Sequence, residues 1–368
     1  MSRTYYAATV IADTIAKSPR LDDMENRMRK FGAWELAKTL TNAPDSPVSA
    51  EARAAFEENT TQTDKIPVFT KVIPEAGSSR ICSATANDGE TAMVTPQWQT
   101  VSTSFTVLRH RQNNNLITTE EEMAQKLQAA VESLLTSLNS KVISAMDTNK
   151  NQVYNDSLDY TITSNVVAAT ADQSHQLFGD VIAMEQANDF DLEKVYCLGG
   201  AGMMSIFNDL RKHGAGNDQN DALELGNISY IFDRSVTAAN KYAAAYFVPS
   251  GSFCVLVRFS PEEYAGDNVN NEEFGITTLP GVGRVGYHYK SDVGDHTSLK
   301  AGTGDCSIQD QYIFNMEIAI VHAYNSAIAS NPSPIIKATI DKKTAGIPVM
   351  VVNTGSNPVE THENSASE

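Results

Sequence analysis

Cysteine is scarce in this chain: four residues in 368, Cys82, Cys197, Cys254 and Cys306, with no CxxC pair among them. That spacing fits reduced thiols better than a disulfide frame and predicts a soluble protein made in a reducing compartment. Basic residues are also short, with 28 Lys and Arg against 45 Asp and Glu and a formal charge of −17. Such a balance repels phosphate and anionic membrane surfaces, and no local basic patch offsets it. A sequence-specific DNA or RNA binder is not expected. Met1–Lys17 lacks the basic stretch and apolar run of a secretory signal. No apolar run approaches the length needed to span a bilayer.

Catalytic signatures are missing as well. There is no GxSxG, and no cysteine has an obvious histidine setting. Gly281-Val282-Gly283-Arg284-Val285-Gly286 matches GxGxxG by letter. A dinucleotide fingerprint needs a strand before it and a helix after it; here Leu279-Pro280 precedes and the strand-like Tyr287-His288-Tyr289 follows. Gly199-Gly200-Ala201-Gly202 does lie between a predicted strand and helix, but it lacks the Lys-Ser/Thr of a P-loop and reads as a tight turn. Asp147, Asn149 and Asn151 imitate the start of a calcium loop that Gln152 and Leu158 cannot complete. His288, Asp292, Asp295 and His296 lie in a loop-like run with no spacing that gathers ligands. The acidic pairs Glu262-Glu263 and Glu272-Glu273 read as a solvated loop face. No catalytic, cofactor-binding or metal residue is therefore assigned, and the chain is not expected to be an enzyme.

What is present is 41% apolar residues, enough for a real core. Residues 1 to about 64 read as a helical arm, with stretches at Met24–Leu40 and Ala50–Glu58 broken by Ser18-Pro19 and by Ala43-Pro44-Asp45-Ser46-Pro47. Such a segment buries little against itself and must pack on something else. Val68, Thr70 and Val72 open one strand; Val101, Thr103, Phe105 and Val107 alternate along another. The polar stretch between them, Glu75–Thr95, reads as an extended hairpin with a mobile tip. An isolated ribbon is marginal in water, so it either folds back on its own domain or lies on a neighbouring subunit.

The strongest element follows. Thr118 and Thr119 each stand three residues before a Glu, a doubled capping box, and Glu120–Glu122 favour a helix start. Met123, Leu127, Val131, Leu134, Leu135, Leu138, Val142 and Met146 then recur at steps of three and four without Pro or Gly. Roughly thirty residues at about 1.5 Å each make a rod on the order of 45 Å. Beyond it the pattern predicts strands at Thr161–Val167, Lys194–Leu198, Ile228–Arg234, Ala243–Pro249, Phe253–Phe259, Val285–Lys290 and Ile335–Ile340. Helices are predicted at Gln173–Asn188 and from Met203 to near Gly214. Gln311–Ala323 suits strand better than helix, because Ile313, Ile318, Ile320 and Val321 are β-branched. The fold class is mixed α+β without regular βαβ alternation.

This order resembles the Hong Kong 97-like fold of tailed-bacteriophage major capsid proteins, shared by encapsulin shells. The stretches that carry the resemblance are Thr119–Val153, Lys194–Leu198 running into Met203–His213, Gly226–Arg234, Ala245–Ser252, Tyr312–His322 and Ile335–Ile340. It implies an N-terminal arm over 1–64, an E-loop hairpin over 65–117 and a P-domain with its spine helix over 118–190. An axial A-domain over 191–309, return strands of the P-domain over 310–345 and a tail over 346–368 complete the division. The implied function is a structural major capsid protein, self-assembling into the hexamers and pentamers of an icosahedral head that encloses the DNA genome. Its partners would be further copies of itself, with portal, scaffold and possibly decoration proteins, and packaged double-stranded DNA held only non-specifically, with no membrane partner. Its place would be the virion, after assembly in the host bacterial cytoplasm. An encapsulin-like compartment, another phage structural part, a surface-layer protein and an unrecognised enzyme are the alternatives.

Overall fold

A single helix of 31 residues, Thr119–Asn149, runs along the core. In the computed structural model all eight apolar positions that mark its inner face, from Met123 to Met146, are 4% exposed or less. The described residues are 6–18, 31–58, 65–68, 92–108, 119–150, 160–187, 194–214, 228–266, 268–269, 272–295, 306–323 and 334–342. Within them the helices are α1 (Tyr6–Lys17), α2 (Gly32–Asn42), α3 (Ala50–Glu58), the long α4, α5 (Gln176–Ala187), α6 (Ala201–Gly214) and the short α7 (Pro261–Ala265).

The strands are β1 (Ile66–Val68), β2 (Ala92–Val94), β3 (Gln99–Leu108), β4 (Thr161–Thr163), β5 (Val166–Ala169), β6 (Val195–Gly199) and β7 (Ile228–Phe232). They continue with β8 (Ala243–Pro249), β9 (Phe253–Arg258), β10 (Asn268–Val269), β11 (Glu272–Leu279), β12 (Gly283–Asp295), β13 (Cys306–His322) and β14 (Ile336–Ile340). One antiparallel sheet has the order β10-β11-β12-β13-β3, with β9 also pairing to β13. A mixed sheet has the order β4-β5-β14-β8-β6-β7, in which β14–β5 and β6–β7 are parallel. The pair β1–β2 stands apart.

Burial explains why these sequences choose strands. Along β13, Asp310, Tyr312, Phe314, Met316 and Ile318 are buried while the residues between them are half-buried, a period of two that no helix satisfies. Strands β6 and β8 are buried at every position because the mixed sheet has a core on each face. Tyr196, Leu198, Ala244, Tyr246 and Val248 join the core of α4, whereas Val195, Cys197, Ala243, Ala245 and Phe247 join a second core with α5 and α6. A third, smaller core lies where β1 and Val48 cover β9 and the end of β13.

Two sequence expectations are corrected. The strand Val101–Val107 is not the partner of Ile66–Val68: β1 pairs with Ala92–Val94, and β3 pairs along its whole length with β13, more than 200 residues away. Most of the stretch Glu75–Thr95 expected to form the hairpin, with Thr70 and Val72 before it, lies outside the described residues. The strand expected over Val285–Lys290 is present and runs on through Asp292 and Asp295, which were read with His288 as loop-like; β12 has 13 residues and is paired on both sides. The expectation that the arm packs on something other than itself agrees with α2, which places six buried residues against α4 and the mixed sheet. The part of Met24–Leu40 before Phe31 lies outside the described residues.

Candidate functional site

Two buried acids hold the arm helices from a distance. Phe31 gives α2 no side-chain cap, so its first amides need other acceptors. Ala33 N donates to Asp233 Oδ2 at 2.9 Å, and Trp34 N donates to Asn139 Oδ1 of α4 at 3.0 Å. Asp233 is fully buried, and its Oδ1 accepts from Ser235 N at 2.7 Å. Trp34 Nε1 and Lys38 Nζ both donate to Gly281 O, tying the same helix to the β11–β12 turn. Glu273 repeats the device for α1. It accepts from Ala7 N at 3.1 Å and from the Tyr287 hydroxyl at 2.7 Å while itself buried. A carboxylate at a helix N-terminus is favoured both by the orphan amides and by the helix dipole.

The other end of α4 is fixed by charge. Asp147 Oδ1 accepts from Lys337 Nζ at 2.5 Å, Tyr246 OH at 2.9 Å and Lys150 Nζ at 3.0 Å. Burial raises the Asp147 pKa, but hydrogen bonds from Lys337, Lys150 and Tyr246 outweigh it and bring the carboxyl down to about 2. Two residues on, Asn149 Nδ2 donates to Ala145 O at 2.8 Å and to His322 Nε2 at 2.9 Å. Since an amide nitrogen only donates, Nε2 is the acceptor and the imidazole proton sits on Nδ1. Burial lowers the His322 pKa to about 4 and keeps the ring neutral. The helix end is thereby joined to β14 by an ion pair, to β8 by the Tyr246 hydroxyl on the same carboxylate and to β13 by a neutral hydrogen bond.

At the hairpin root, Ile66 and Val68 point into the third core while Pro67 and Met93 face outward, Met93 at 58% exposure. Arg258 stacks over Trp98 at 4.3 Å and pairs with Glu317, which clamps the connection from β2 to β3.

The catalytic look-alikes that fall among the described residues are taken up by turns, strand pairing and packing. Gly281 and Gly283, at φ +78° and +103°, make the β11–β12 turn, and Gly286 lies within β12. Gly200 and Gly202 are forced by contact: a Cβ on either would stand 2.2–2.3 Å from the carbonyl oxygens of Val236 or Tyr242. The Gly200 amide is already taken by Ala244 O. His288 stacks on Phe274 and pairs with Glu272, whose carboxyl Lys290 and His288 lower despite a small opposing burial effect. His296 lies outside the described residues. Cys197 is buried and its thiol pushed far up, and burial carries Cys254 to about 11 in spite of partial compensation by Arg53, Ser46 and Val48. Neither is a ready nucleophile. Among the described residues no group of three His, Cys, Asp or Glu could hold a metal, and no helix is long and apolar enough to cross a membrane.

The reading of the acidic pairs as a solvated face is half wrong. Glu262 and Glu272 face outward, but Glu263 and Glu273 are buried. Glu263 completes a reciprocal capping box with Ser260. Ser260-Pro261-Glu262-Glu263 carries that signal openly, as S-x-x-E with Pro at the first helical position. Nothing local announces Glu273 or Asp233 as caps.

No family model matches the chain, and no curated protein matches it. Among solved structures, a chain of Mycobacterium phage Che8 has 10% identity, covering 79% of this chain and 88% of that one, with a TM-score of 0.45. A chain of Mycobacterium phage Cain has 12% identity over 83% and 94%, with a TM-score of 0.42. A chain from the capsid structure of the cyanophage P-SCSP1u has 9% identity over 76% and 83%, with a TM-score of 0.40.

Proposed function

We propose that this chain is a non-catalytic building block, a major capsid protein of the Hong Kong 97-like fold that self-assembles into the hexamers and pentamers of a tailed-phage head. The observation that carries the reading is the α4 framework. One 31-residue helix buried along a whole face joins an antiparallel sheet to a mixed sheet, and α1 and α2 are pinned beside it by buried carboxylates. A body held this firmly suits a shell subunit, which must keep its geometry while it repeats the same contacts with its neighbours. Heterologous contacts repeated around an axis close into rings.

In this reading 1–64 is the arm, 65–117 the E-loop with β3 as its root, and 118–190 the P-domain with α4 as spine. The A-domain spans 191–309, the return strands 310–345 and the tail 346–368. The charge of −17 suits a wall around packed DNA, because it keeps the genome from adhering. Portal, scaffold and decoration proteins would be the other partners, and the virion, assembled in the bacterial cytoplasm, the location.

Light scattering after size-exclusion chromatography tests the reading on the full chain and on a chain lacking residues 75–95. The full chain is expected to form particles of many copies, and the deletion to stay folded but associate weakly. Equal assembly by both chains would remove the hairpin's assigned role. A full chain that never associates would remove the capsid reading.

A further inference from the structure

The two ends of the antiparallel sheet differ in kind. At one end β10 has only two residues. At the other, β3 runs for ten, paired along one side with β13 and, among the described residues, with no strand along the other. Long open edges are ordinarily blunted by Lys, Pro or a bulge, because their free N–H and C=O groups accept another strand. Here Gln99–Leu108 has no Pro and no charged residue, and it pairs with β13 residue for residue, without a bulge. The strand is held at both ends by α4, whose Lys126 donates to Thr106 O and Lys141 to Gln99 Oε1. Between those anchors Ser102 and Ser104 are exposed, and Phe105 is only half-buried although it stacks on Tyr312.

The sequence contains a segment suited to that edge. Beyond Lys342, the last described residue, Thr344–Val359 carries no charge. Within it Ile347-Pro348-Val349-Met350-Val351-Val352 has five Ile, Val or Met residues in six; no other segment outside the described residues reaches four Ile, Leu, Val, Met or Phe in six. Such a run favours a strand, with Ile347, Val349 and Val351 on one face. Pro348 suits an outermost strand, which has a free side where a missing N–H costs no ladder bond. Copies of net charge −17 repel one another, so a neutral edge and a neutral segment are where strands can meet without that cost. The tail leaves β14 in the mixed sheet, whereas β3 belongs to the antiparallel one, with α4 packed against both. Residues 343–346 reach about 17 Å at full extension, a short tether for rounding a helix about 10–12 Å across. That favours the β3 of a neighbour over the chain's own.

We propose that Ile347–Val352 of a second copy adds to the open edge of β3 as a further strand, linking one subunit to the next. The proposal rests on the assembly reading above and names the segment that makes one of its contacts.

Disulfide trapping in mixed assemblies of two full-length variants tests it. Both carry Cys82→Ala and Cys306→Ala; the other native cysteines, Cys197 and Cys254, are buried. One adds Ser102→Cys, the other Val349→Cys, Met350→Cys, Val351→Cys or Val352→Cys. Thermal unfolding checks that each variant folds, and Ser104→Cys replaces Ser102→Cys if it does not. Facing Cβ atoms of paired strands lie about 4.5–5.5 Å apart, near enough to bridge. Oxidation is expected to give covalent dimers that alternate in yield along the tail. The best pair should exceed by about tenfold a control with Ser144→Cys, an exposed position on α4. Assembled particles with no dimer above the control, or with equal yields at all four tail positions, overturn the strand addition alone. A bridge formed only when both cysteines share one chain overturns the second copy as occupant. An unaltered chain that stays monomeric overturns the assembly reading and the proposal with it.

Discussion

Asp233→Ala removes the acceptor that holds α2 and should be among the most damaging single changes in the chain. Asp233 is fully buried and accepts from Ala33 N at 2.9 Å and Ser235 N at 2.7 Å. The helix has no local substitute, because Phe31 gives no side-chain cap. Loss of an N-cap costs about 1 kcal/mol, and a buried amide left without a partner about 1–3 kcal/mol. Water can reach the exposed Ser235 side more readily than the Ala33 side, so one amide at full penalty is the fair sum. The expected loss is about 3 kcal/mol, read as a lowered urea midpoint with an unchanged slope. Asp233→Asn keeps one acceptor and should recover about half. An Ala variant within about 0.5 kcal/mol of the unaltered chain would mean that α2 is held by its apolar face alone, and the docking argument would fail.

Leu134→Asp puts a charge at a position of α4 that is 0% exposed, and should cost about 4 kcal/mol or more or abolish soluble expression; an unchanged melt would put the buried face elsewhere. Acid should act through His322. Its folded pKa is depressed from 6.5 to about 4, so the unfolded chain takes up the proton first, and about 3 kcal/mol of stability is lost as pH falls from 6.5 to 4. In His322→Gln, stability measured across that window should be flatter by that amount. The Asp147 cluster enters only further down, as pH falls through the ordinary carboxylate range toward 2. Glu185 is fully buried with no hydrogen-bond partner among the described residues, and desolvation pushes its pKa well up. Its folded form therefore holds a proton that the unfolded chain releases as pH rises above 4.5, and Glu185→Leu should stabilise by about 1–3 kcal/mol at neutral pH. A destabilised Leu variant would show that the carboxyl has a role there.

The parts of this molecule that could be read from its sequence are those whose cause is local. The face of α4 follows from a spacing of three and four, and all eight residues that spacing marks are buried. The uninterrupted apolar run Ala243–Val248 belongs to a strand with a core on each side, and β13 shows the alternation expected of its β-branched sequence. What escaped depends on residues far apart. Glu273 meets Ala7 across 266 residues and Asp233 meets Ala33 across 200, so neither acid differs locally from a surface acid. The sequence neighbours of β3 suggest a hairpin, yet among the described residues its ladder is to β13. The Asp147 cluster was legible only as a failed calcium loop; its real partners, Tyr246 and Lys337, arrive from two other strands.

The central claim is that the α4 framework is the body of a shell-forming subunit, and electron microscopy of the purified full chain tests it most directly. The account predicts closed shells, or rings of five and six. Uniform single copies under every condition, including co-expression with the proteins encoded beside it, would contradict it.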